Sequence, residues 1–247
     1  MIPAVLLTLL GLVLGVLVMV LGFPLVAISW ILDRSGKLSH YLAKWWLVNV
    51  SRILGIRVKV QGRENLRRSE RYLIIANHKS SADIFVAARV LRQHFKFFAA
   101  HHLFPYPFFG WAMSMAGYLP INRSNRRQAR ESILKGTRIL KEGKASLLIF
   151  PEGTRILEPR IGNFKYGFLR IAAEARRPIL PVILEGTVAV KKKDEFWFHP
   201  GVVRVSILPA VATDDLSEDN WDEFKAHFEN LFRSEFNKLR GQTPSTD

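Results

Sequence analysis

The first 32 residues contain no charged side chain, and this segment limits what the chain can fold into more than any other feature. Of these residues, 25 are apolar. A helix needs about 20 predominantly apolar residues to cross a bilayer, whereas core helices of soluble proteins rarely run so long without a charge. Residues 1–32 therefore predict a membrane-embedded helical segment. The alternative, a buried core helix, fits this length poorly.

The apolar segment is longer than one straight span requires. Gly22, Phe23 and Pro24 offer a place for a break, because proline lacks the backbone N–H that a helix uses. Two forms stay open: a spanning helix over about residues 4–22 with an interfacial stretch after it, or a helical hairpin within one leaflet. Positive residues follow the segment, which predicts that the body lies on the cytoplasmic face of the inner or plasma membrane. They are Arg34, Lys37, Lys44 and Arg52.

The remaining residues, 33–247, carry every charge of a chain whose net charge is +15, and they are numerous enough for one globular domain. Short apolar runs alternate with helical patterns, which predicts an α/β fold: a mostly parallel or mixed sheet of about seven strands with helices on both faces. The predicted strands are 57–60, 72–76, 96–99, 118–121, 146–150, 179–184 and 202–208. The predicted helices are 82–92, 109–115, 128–141 and 164–175, with a docked amphipathic helix over 216–240 and a loose tail after it.

The chain has no cysteine, which excludes a disulfide framework, a cysteine nucleophile and thiolate metal sites. Three histidines lie close together in the sequence, at His94, His101 and His102. They have no carboxylate at ligand spacing, so we predict no metal site and interpret them as surface or pocket-lining residues.

The turn after strand 72–76 reads Asn77-His78-Lys79-Ser80-Ser81-Ala82-Asp83 and has two interpretations. As a capping box, Ser80 caps the next helix and Asp83 is its third residue. As a chemical site, Asp83 points back at His78, fixes its tautomer and leaves the other ring nitrogen as a general base. The second interpretation lacks a protein nucleophile, and a substrate hydroxyl would complete it.

Two further strand ends carry arginine. Strand 146–150 leads into Pro151-Glu152-Gly153-Thr154-Arg155, and strand 118–121 leads to Arg123. Ligands of such sheets bind at the carboxyl ends of the strands, and an arginine fork with free backbone N–H groups suits a phosphate. The alternative for the first of these turns is a surface ion pair between Glu152 and Arg155.

At these residues the sequence resembles the glycerolipid acyltransferases, most closely those that acylate 1-acylglycerol-3-phosphate to phosphatidate. Four segments are similar to the family's four motif blocks in order and spacing, across roughly residues 50–210. The segments are Asn77–Asp83, Gly117–Arg123, Phe150–Arg155 and Pro178–Val182.

The resemblance implies that His78, paired with Asp83, deprotonates a lysolipid hydroxyl, which attacks an acyl thioester of CoA or acyl carrier protein. It implies no cofactor besides that thioester. The residues implied in binding the phosphate-bearing acceptor are Arg123, Glu152, Gly153 and Arg155. Those implied in the acyl pocket or in support are Asn77, Ser80, Lys165, Gly167 and Pro181.

One position departs from the family. Ala100 stands where phosphatidate-forming members commonly carry a lysine, which leaves other acceptors open, such as a lysophosphatidylglycerol or a lyso-ornithine lipid. From another class, the alternative is a non-catalytic basic protein that binds membrane surfaces. Basic residues beside aromatic ones favour an anionic lipid surface over nucleic acid as the partner of this charge.

Overall fold

The computed structural model describes residues 2–241, with side chains from residue 5 onward, and within this range the chain forms a seven-stranded sheet with helices on both faces. The predicted tail after residue 241 lies outside the described residues. The strands are β1 Ile56–Gln61, β2 Leu73–Ala76, β3 Phe95–Ala100, β4 Leu119–Ile121, β5 Ser146–Ile149, β6 Ile179–Glu185 and β7 Gly201–Ile207. The helices are α1 Ile2–Leu32, α2 Lys37–Ile53, α3 Ala82–Val90, α4 Phe109–Met115, α5 Arg126–Lys141, α6 Gly167–Ala175, α7 Thr187–Val190 and α8 Trp221–Gly241.

The sheet is mixed, as the alternation of strands and helices predicts. Its order is β1-β7-β6-β2-β5-β3-β4. Neighbouring strands are parallel from β6 to β4, whereas β7 runs antiparallel to β6 and parallel to β1. The carboxyl ends of β2, β5, β3 and β4 therefore meet at one edge, and the turns that follow β2, β5 and β4 carry the motif residues.

Strand β2 divides the apolar residues into two cores because successive side chains of a strand point to opposite faces. Ile74 and Ala76 belong to a core that α2, α3 and α4 cover. Leu73 and Ile75 belong to a second core beneath α5, α6 and α8. A strand buried on both faces reads as a continuous apolar run, which is why β2 and β5 could be predicted from the sequence.

Helix α1 runs without interruption from Ile2 to Leu32, with Pro24 inside it. The predicted break at Gly22-Phe23-Pro24 is therefore wrong, and residues 2–32 form neither a hairpin nor a shorter helix with a separate interfacial stretch. Phe23 packs edge-on against Phe108 at 5.3 Å and also contacts Trp111, so aromatic packing holds the helix across the proline. Val5–Leu32 is long and apolar enough to cross a membrane, by length and composition, and most of it is unburied.

Helix α1 packs closely along α2. Gly11 and Gly15 lie at the contact: a Cβ on Gly11 would lie 2.8 Å from Leu54, and one on Gly15 would lie 3.3 Å from Val50. The backbone carbonyl of Gly15 accepts a hydrogen bond of 2.8 Å from Trp46 Nε1. Small residues thus permit the close approach of the two helices, and α1 lies against the body instead of standing apart from it.

Candidate functional site

Asn77 fixes the point at which the chain leaves β2. Its side chain is fully buried, and it donates to the Leu184 carbonyl at 2.9 Å and accepts from the Leu184 N–H at 2.8 Å. The carboxyl end of β2 is thereby joined to β6 by two hydrogen bonds beyond the strand pairing. The position of His78, the next residue, therefore follows from the pairing of the sheet.

The structure brings His78 and Asp83 together. His78 Nδ1 lies 2.7 Å from Asp83 Oδ2, and the same oxygen accepts the backbone N–H groups of Lys79 at 2.9 Å and Ser80 at 3.0 Å. The Asp83 side chain has no exposed surface, and that of His78 is 15% exposed. A fully buried carboxylate with three donors keeps the imidazole in one orientation, and Asp83 holds the helix start at the same time.

Only one of the two hydrogen bonds of the predicted capping box forms between Ser80 and Asp83. Asp83 accepts from the Ser80 N–H, as the third residue of such a box does, but the Ser80 hydroxyl accepts from the Ala82 N–H at 3.2 Å rather than from Asp83. The hydroxyl also donates to the Lys191 carbonyl at 2.6 Å. Ser80 therefore supports the turn, and the capping and chemical interpretations of Asp83 are compatible.

The His78 ring lies flat on Phe150. Their ring centres are 4.2 Å apart with an interplanar angle of 19°. His78 Nε2, the nitrogen away from Asp83, makes no hydrogen bond within residues 2–241. An imidazole held by a carboxylate on one nitrogen and open on the other is the arrangement of a general base.

Glu152 is placed differently from its expected position against an acceptor phosphate. Its side chain is buried, and its two oxygens accept the His78 N–H at 2.7 Å and the Gly162 N–H at 2.8 Å. It forms no ion pair with Arg155, so the alternative of a surface pair is also wrong. Burial raises the pKa of Glu152, and the two backbone donors oppose that rise. Glu152 connects the turn after β5 to the backbone of His78.

Position 153 requires glycine because its backbone φ is +73°, in the region that L side chains rarely adopt. A Cβ there would also lie 3.0 Å from the Lys165 side chain. The glycine thus allows the turn after β5 to pass close to Lys165, which is exposed.

Lys79 is a buried residue of the His78 turn whose position sequence reasoning missed. Its side chain is 4% exposed, and Nζ donates to the carbonyls of Glu158 and Arg160 at 2.7 Å and of Ile156 at 3.2 Å. Desolvation lowers the pKa of this lysine. The Ile156 N–H in turn donates to the His78 carbonyl. A lysine in a polar turn is typical of solvent exposure, so no sequence signal distinguished it.

Positive charge collects beside the His78 turn. Burial lowers the pKa of Arg123 and of Lys191, and the nearby Arg155 charge lowers both further. Arg155 is exposed and forms no ion pair among the described residues. Cations from different elements are suited to a multiply charged anion such as a phosphate.

Two cavities adjoin these residues. One, of about 260 Å³, has an apolar wall from β5, α5 and α6 with Arg123, Gly153, Lys165 and Gly167 at its polar edge, and Phe150 also lines it. The other, of about 150 Å³, is almost wholly apolar and lies between α1, α2, α3 and α4, where its lining includes Ile84, the residue after Asp83. Pro181 lines neither cavity; it is buried within β6, where its carbonyl accepts from the Leu208 N–H.

The departure at Ala100 lies at the end of β3, where Ala100 pairs with Ile121 of β4 and is half-buried. His101 and His102 follow it and are exposed. In the described part of the chain no group of three His, Asp or Glu side chains is arranged to hold a metal ion.

Comparison with protein families identifies the chain. The model of the acyltransferase family matches residues 57–185, which is more than half of the chain and includes every motif residue discussed above. This chain belongs to the acyltransferase family. The matched part of the acyltransferase runs from β1 to β6 and leaves out α1, α2, α7, β7 and α8.

Several curated relatives of this acyltransferase are named 1-acyl-sn-glycerol-3-phosphate acyltransferase. The 1-acyl-sn-glycerol-3-phosphate acyltransferase of Saccharomyces cerevisiae is 34% identical over 82% of the chain and 68% of the relative. That of Limnanthes douglasii is 34% identical over 70% of the chain, which spans 60% of the plant protein's length. The crystal structure of the 1-acyl-sn-glycerophosphate acyltransferase PlsC from Thermotoga maritima is 24% identical, covers 99% of both chains and has a TM-score of 0.85. The acyltransferase therefore has the PlsC fold.

Proposed function

We propose that this acyltransferase transfers a fatty acyl group from a thioester to the free hydroxyl of 1-acylglycerol-3-phosphate, forming phosphatidate. The observation that carries the proposal is the His78–Asp83 pair, with Nδ1 held at 2.7 Å and Nε2 unpaired among the described residues. The names of the curated relatives support the choice of acceptor. No cofactor is needed besides the acyl thioester, whose carrier is CoA or acyl carrier protein.

The arrangement of His78 supports direct transfer. Nε2 takes the proton of the acceptor hydroxyl while the oxygen attacks the thioester carbonyl carbon, and Asp83 stabilises the imidazolium that forms. When the tetrahedral intermediate collapses, the carbon–sulfur bond breaks and the imidazolium returns the proton to the thiolate. Atoms and charge balance without an acyl-enzyme intermediate, which agrees with the lack of cysteine in the chain.

Arg123 and Arg155 are the residues that we assign to the acceptor phosphate, because both are cationic and the nearby Arg155 charge adds to burial in lowering the pKa of Arg123. Glu152, Gly153, Asn77 and Ser80 act through position, by holding the turns that carry the reacting groups. We assign the acyl chain to the apolar cavity between α1 and α4 rather than to the surroundings of Pro181, because the lining of this cavity has almost no polar surface.

Helix α1 suits attachment to a membrane. Its exposed apolar side chains include Leu6, Val13 and Leu21, and Arg34 lies 3.7 Å from the ring of Trp30 at its carboxyl end, as cation and ring do at an interface. We infer that α1 lies in the cytoplasmic leaflet of the inner or plasma membrane and that anionic lipids contact the basic surface. Lysolipid would then reach His78 without leaving the bilayer.

The test is acyl transfer by purified enzyme with a panel of lysolipids: lysophosphatidate, lysophosphatidylglycerol and a lyso-ornithine lipid. We expect lysophosphatidate to be preferred and His78→Ala to lose transfer by at least about 10³-fold while remaining folded. His227→Ala, which changes an exposed histidine of α8, is the control and should keep normal rates. Transfer by His78→Ala at the rate of the unaltered enzyme would contradict the mechanism. Preference for another acceptor would move the assignment to that lysolipid and link it to Ala100.

A non-catalytic membrane-binding protein is the alternative from another class. It predicts binding to anionic vesicles that weakens with salt, with no acyl turnover from any donor. The His78 ring, held by Asp83 at Nδ1 and open at Nε2 among the described residues, favours the enzyme, as do the relatives' names.

A further inference from the structure

A third cavity, which we call the arginine groove, lies between α5, α6 and the start of α8. Its volume is about 440 Å³, within the range of sites that hold small organic ligands. Its lining combines cations, apolar side chains, two aromatic rings and a carboxylate. The residues are Arg123, Arg126, Ala129, Arg130, Ile133, Leu134, Thr137, Tyr166, Gly167, Arg170, Glu174 and Trp221.

The groove's arginines are free to bind an anion. Arg126, Arg130 and Arg170 form no ion pair and no side-chain hydrogen bond with the residues that the structure describes. Their neighbour Arg127 contrasts with them: it points away from the groove and pairs with Glu131 at 3.2 Å. Three unpaired guanidinium groups thus line one cavity, and the fork geometry of a guanidinium group matches phosphate oxygens.

The rest of the lining fits a purine better than it fits bare phosphate. Tyr166 and Trp221 lie nearly parallel at one side, with ring centres 6.3 Å apart and an interplanar angle of 25°. Ala129, Ile133 and Leu134 supply an apolar wall, and Glu174 supplies an acceptor for an exocyclic amine. Phosphate-binding cations next to a flat apolar surface and a carboxylate are the elements of nucleotide recognition.

The groove is continuous with the 260 Å³ cavity beside the His78 turn. Arg123, Ala129, Ile133 and Gly167 line both. The cavity in turn includes Phe150, whose ring lies on His78. The arginine groove thus adjoins the cavity that Phe150 lines, next to the reacting histidine.

We propose that the arginine groove binds the 3′-phosphorylated ADP portion of coenzyme A, with the pantetheine arm in the adjoining cavity and the thioester beside His78. The proposal rests on the proposed acyl transfer and adds the donor to it. Arg126, Arg130 and Arg170 contact the diphosphate and the 3′-phosphate, which carries a charge of about −2 at neutral pH. The aromatic and apolar wall holds the adenine.

Two other occupants fit the groove less well. An acidic carrier protein would present a convex helix, which fits a concave groove of about 440 Å³ less well than a nucleotide does. A membrane surface is flat, so it would contact the exposed side chains of these arginines but would leave the volume of the groove unfilled. The basic surface thus has two partners: anionic lipid contacts one part of it, and the α5 and α6 arginines bind a soluble nucleotide.

The test compares donors that differ in the nucleotide alone: acyl-CoA and acyl-4′-phosphopantetheine, with lysophosphatidate held constant. We expect Arg126→Ala, Arg130→Ala and Arg170→Ala each to raise KM for acyl-CoA about tenfold or more, with kcat unchanged. Their KM for acyl-4′-phosphopantetheine should equal that of the unaltered enzyme. Arg127→Ala is the matched control on the same helix, and its kinetics with both donors should not change.

Calorimetric titration of free coenzyme A and of adenosine 3′,5′-bisphosphate separates the groove from catalysis. Binding that weakens about tenfold in the three groove variants, but not in Arg127→Ala, supports the proposal even if transfer to the chosen lysolipid is absent. Three results with the groove variants would each overturn the proposal. Acyl transfer could fall equally with acyl-4′-phosphopantetheine, fall only with an acyl carrier protein as donor, or fall in step with the anionic lipid content of the vesicles. Unchanged binding in all variants would overturn it as well.

Discussion

Asp83→Asn is the substitution that best separates the helix-capping role of this residue from its role in the chemistry. Asp83 Oδ2 accepts three hydrogen bonds, and an asparagine oxygen can accept the same three, so the turn keeps its geometry. Weaker, uncharged bonds should cost about 1–2 kcal/mol of unfolding free energy, or about 2–8 °C in Tm for a chain of this size.

The effect of the same substitution on rate should be larger. When His78 takes the proton, an imidazolium forms against a fully buried carboxylate, with the two charges centred about 4 Å apart. At an effective dielectric constant near 20, this attraction is about 4 kcal/mol, and its loss lowers kcat by about 10³-fold.

The assay measures initial rates of acyl transfer and thermal unfolding on the same protein preparations. Ser80→Ala is the control, since it removes the hydroxyl that accepts from the Ala82 N–H and donates to the Lys191 carbonyl but leaves Asp83 in place. It should lower Tm comparably, because losing such a hydroxyl costs about 1 kcal/mol, and kcat should fall less than tenfold. A rate loss below tenfold for Asp83→Asn, with a lowered Tm, would refute the chemical role and leave the cap.

Two further predictions concern buried cations and histidines. Lys79→Met should lower the unfolding free energy by about 2–3 kcal/mol, because three carbonyls of the 156–160 loop lose their donor. Trypsin should then cleave faster after the exposed Arg160. An unchanged rate of cleavage would show that Lys79 does not hold this loop. Stability should also fall as the pH drops from 7 to 5, because burial lowers the pKa of His94 from 6.5 to about 4. The unfolded chain then binds a proton that the folded one excludes, which costs about 2 kcal/mol at pH 5. Denaturant titrations of the enzyme and of His94→Gln, in which the loss should be smaller by that amount, check the sign.

Much of the architecture could be predicted from sequence periodicity. Each of the seven predicted strands exists, with bounds that differ by one or two residues, because strands buried on both faces read as short apolar runs between turn residues. The meeting of His78 and Asp83 was also foreseeable, since a carboxylate in the first turn of a helix points back at the loop before it. Both results depend on interactions that are local in sequence.

The errors and omissions concern contacts between distant segments. Helix α1 continues through Pro24 because Phe23 packs against α4, more than 80 residues away. Glu152 is occupied by backbone donors from His78 and Gly162 rather than by an acceptor. Lys79 is buried because the 156–160 loop folds over it. Each depends on which segments the fold brings together, which no local pattern records.

By itself, the sequence determined the 32-residue uncharged segment, the alternation of strands and helices, and the order of the motifs, because hydrophobic periodicity and turn chemistry act over a few residues. The tertiary structure alone decided the strand order β1-β7-β6-β2-β5-β3-β4 and the reversal at β7. It also decided which arginines line one groove and which, like Arg127, face away. The physical reason is that a site is assembled from the ends of strands and the faces of helices, and their arrangement depends on the packing of the whole chain.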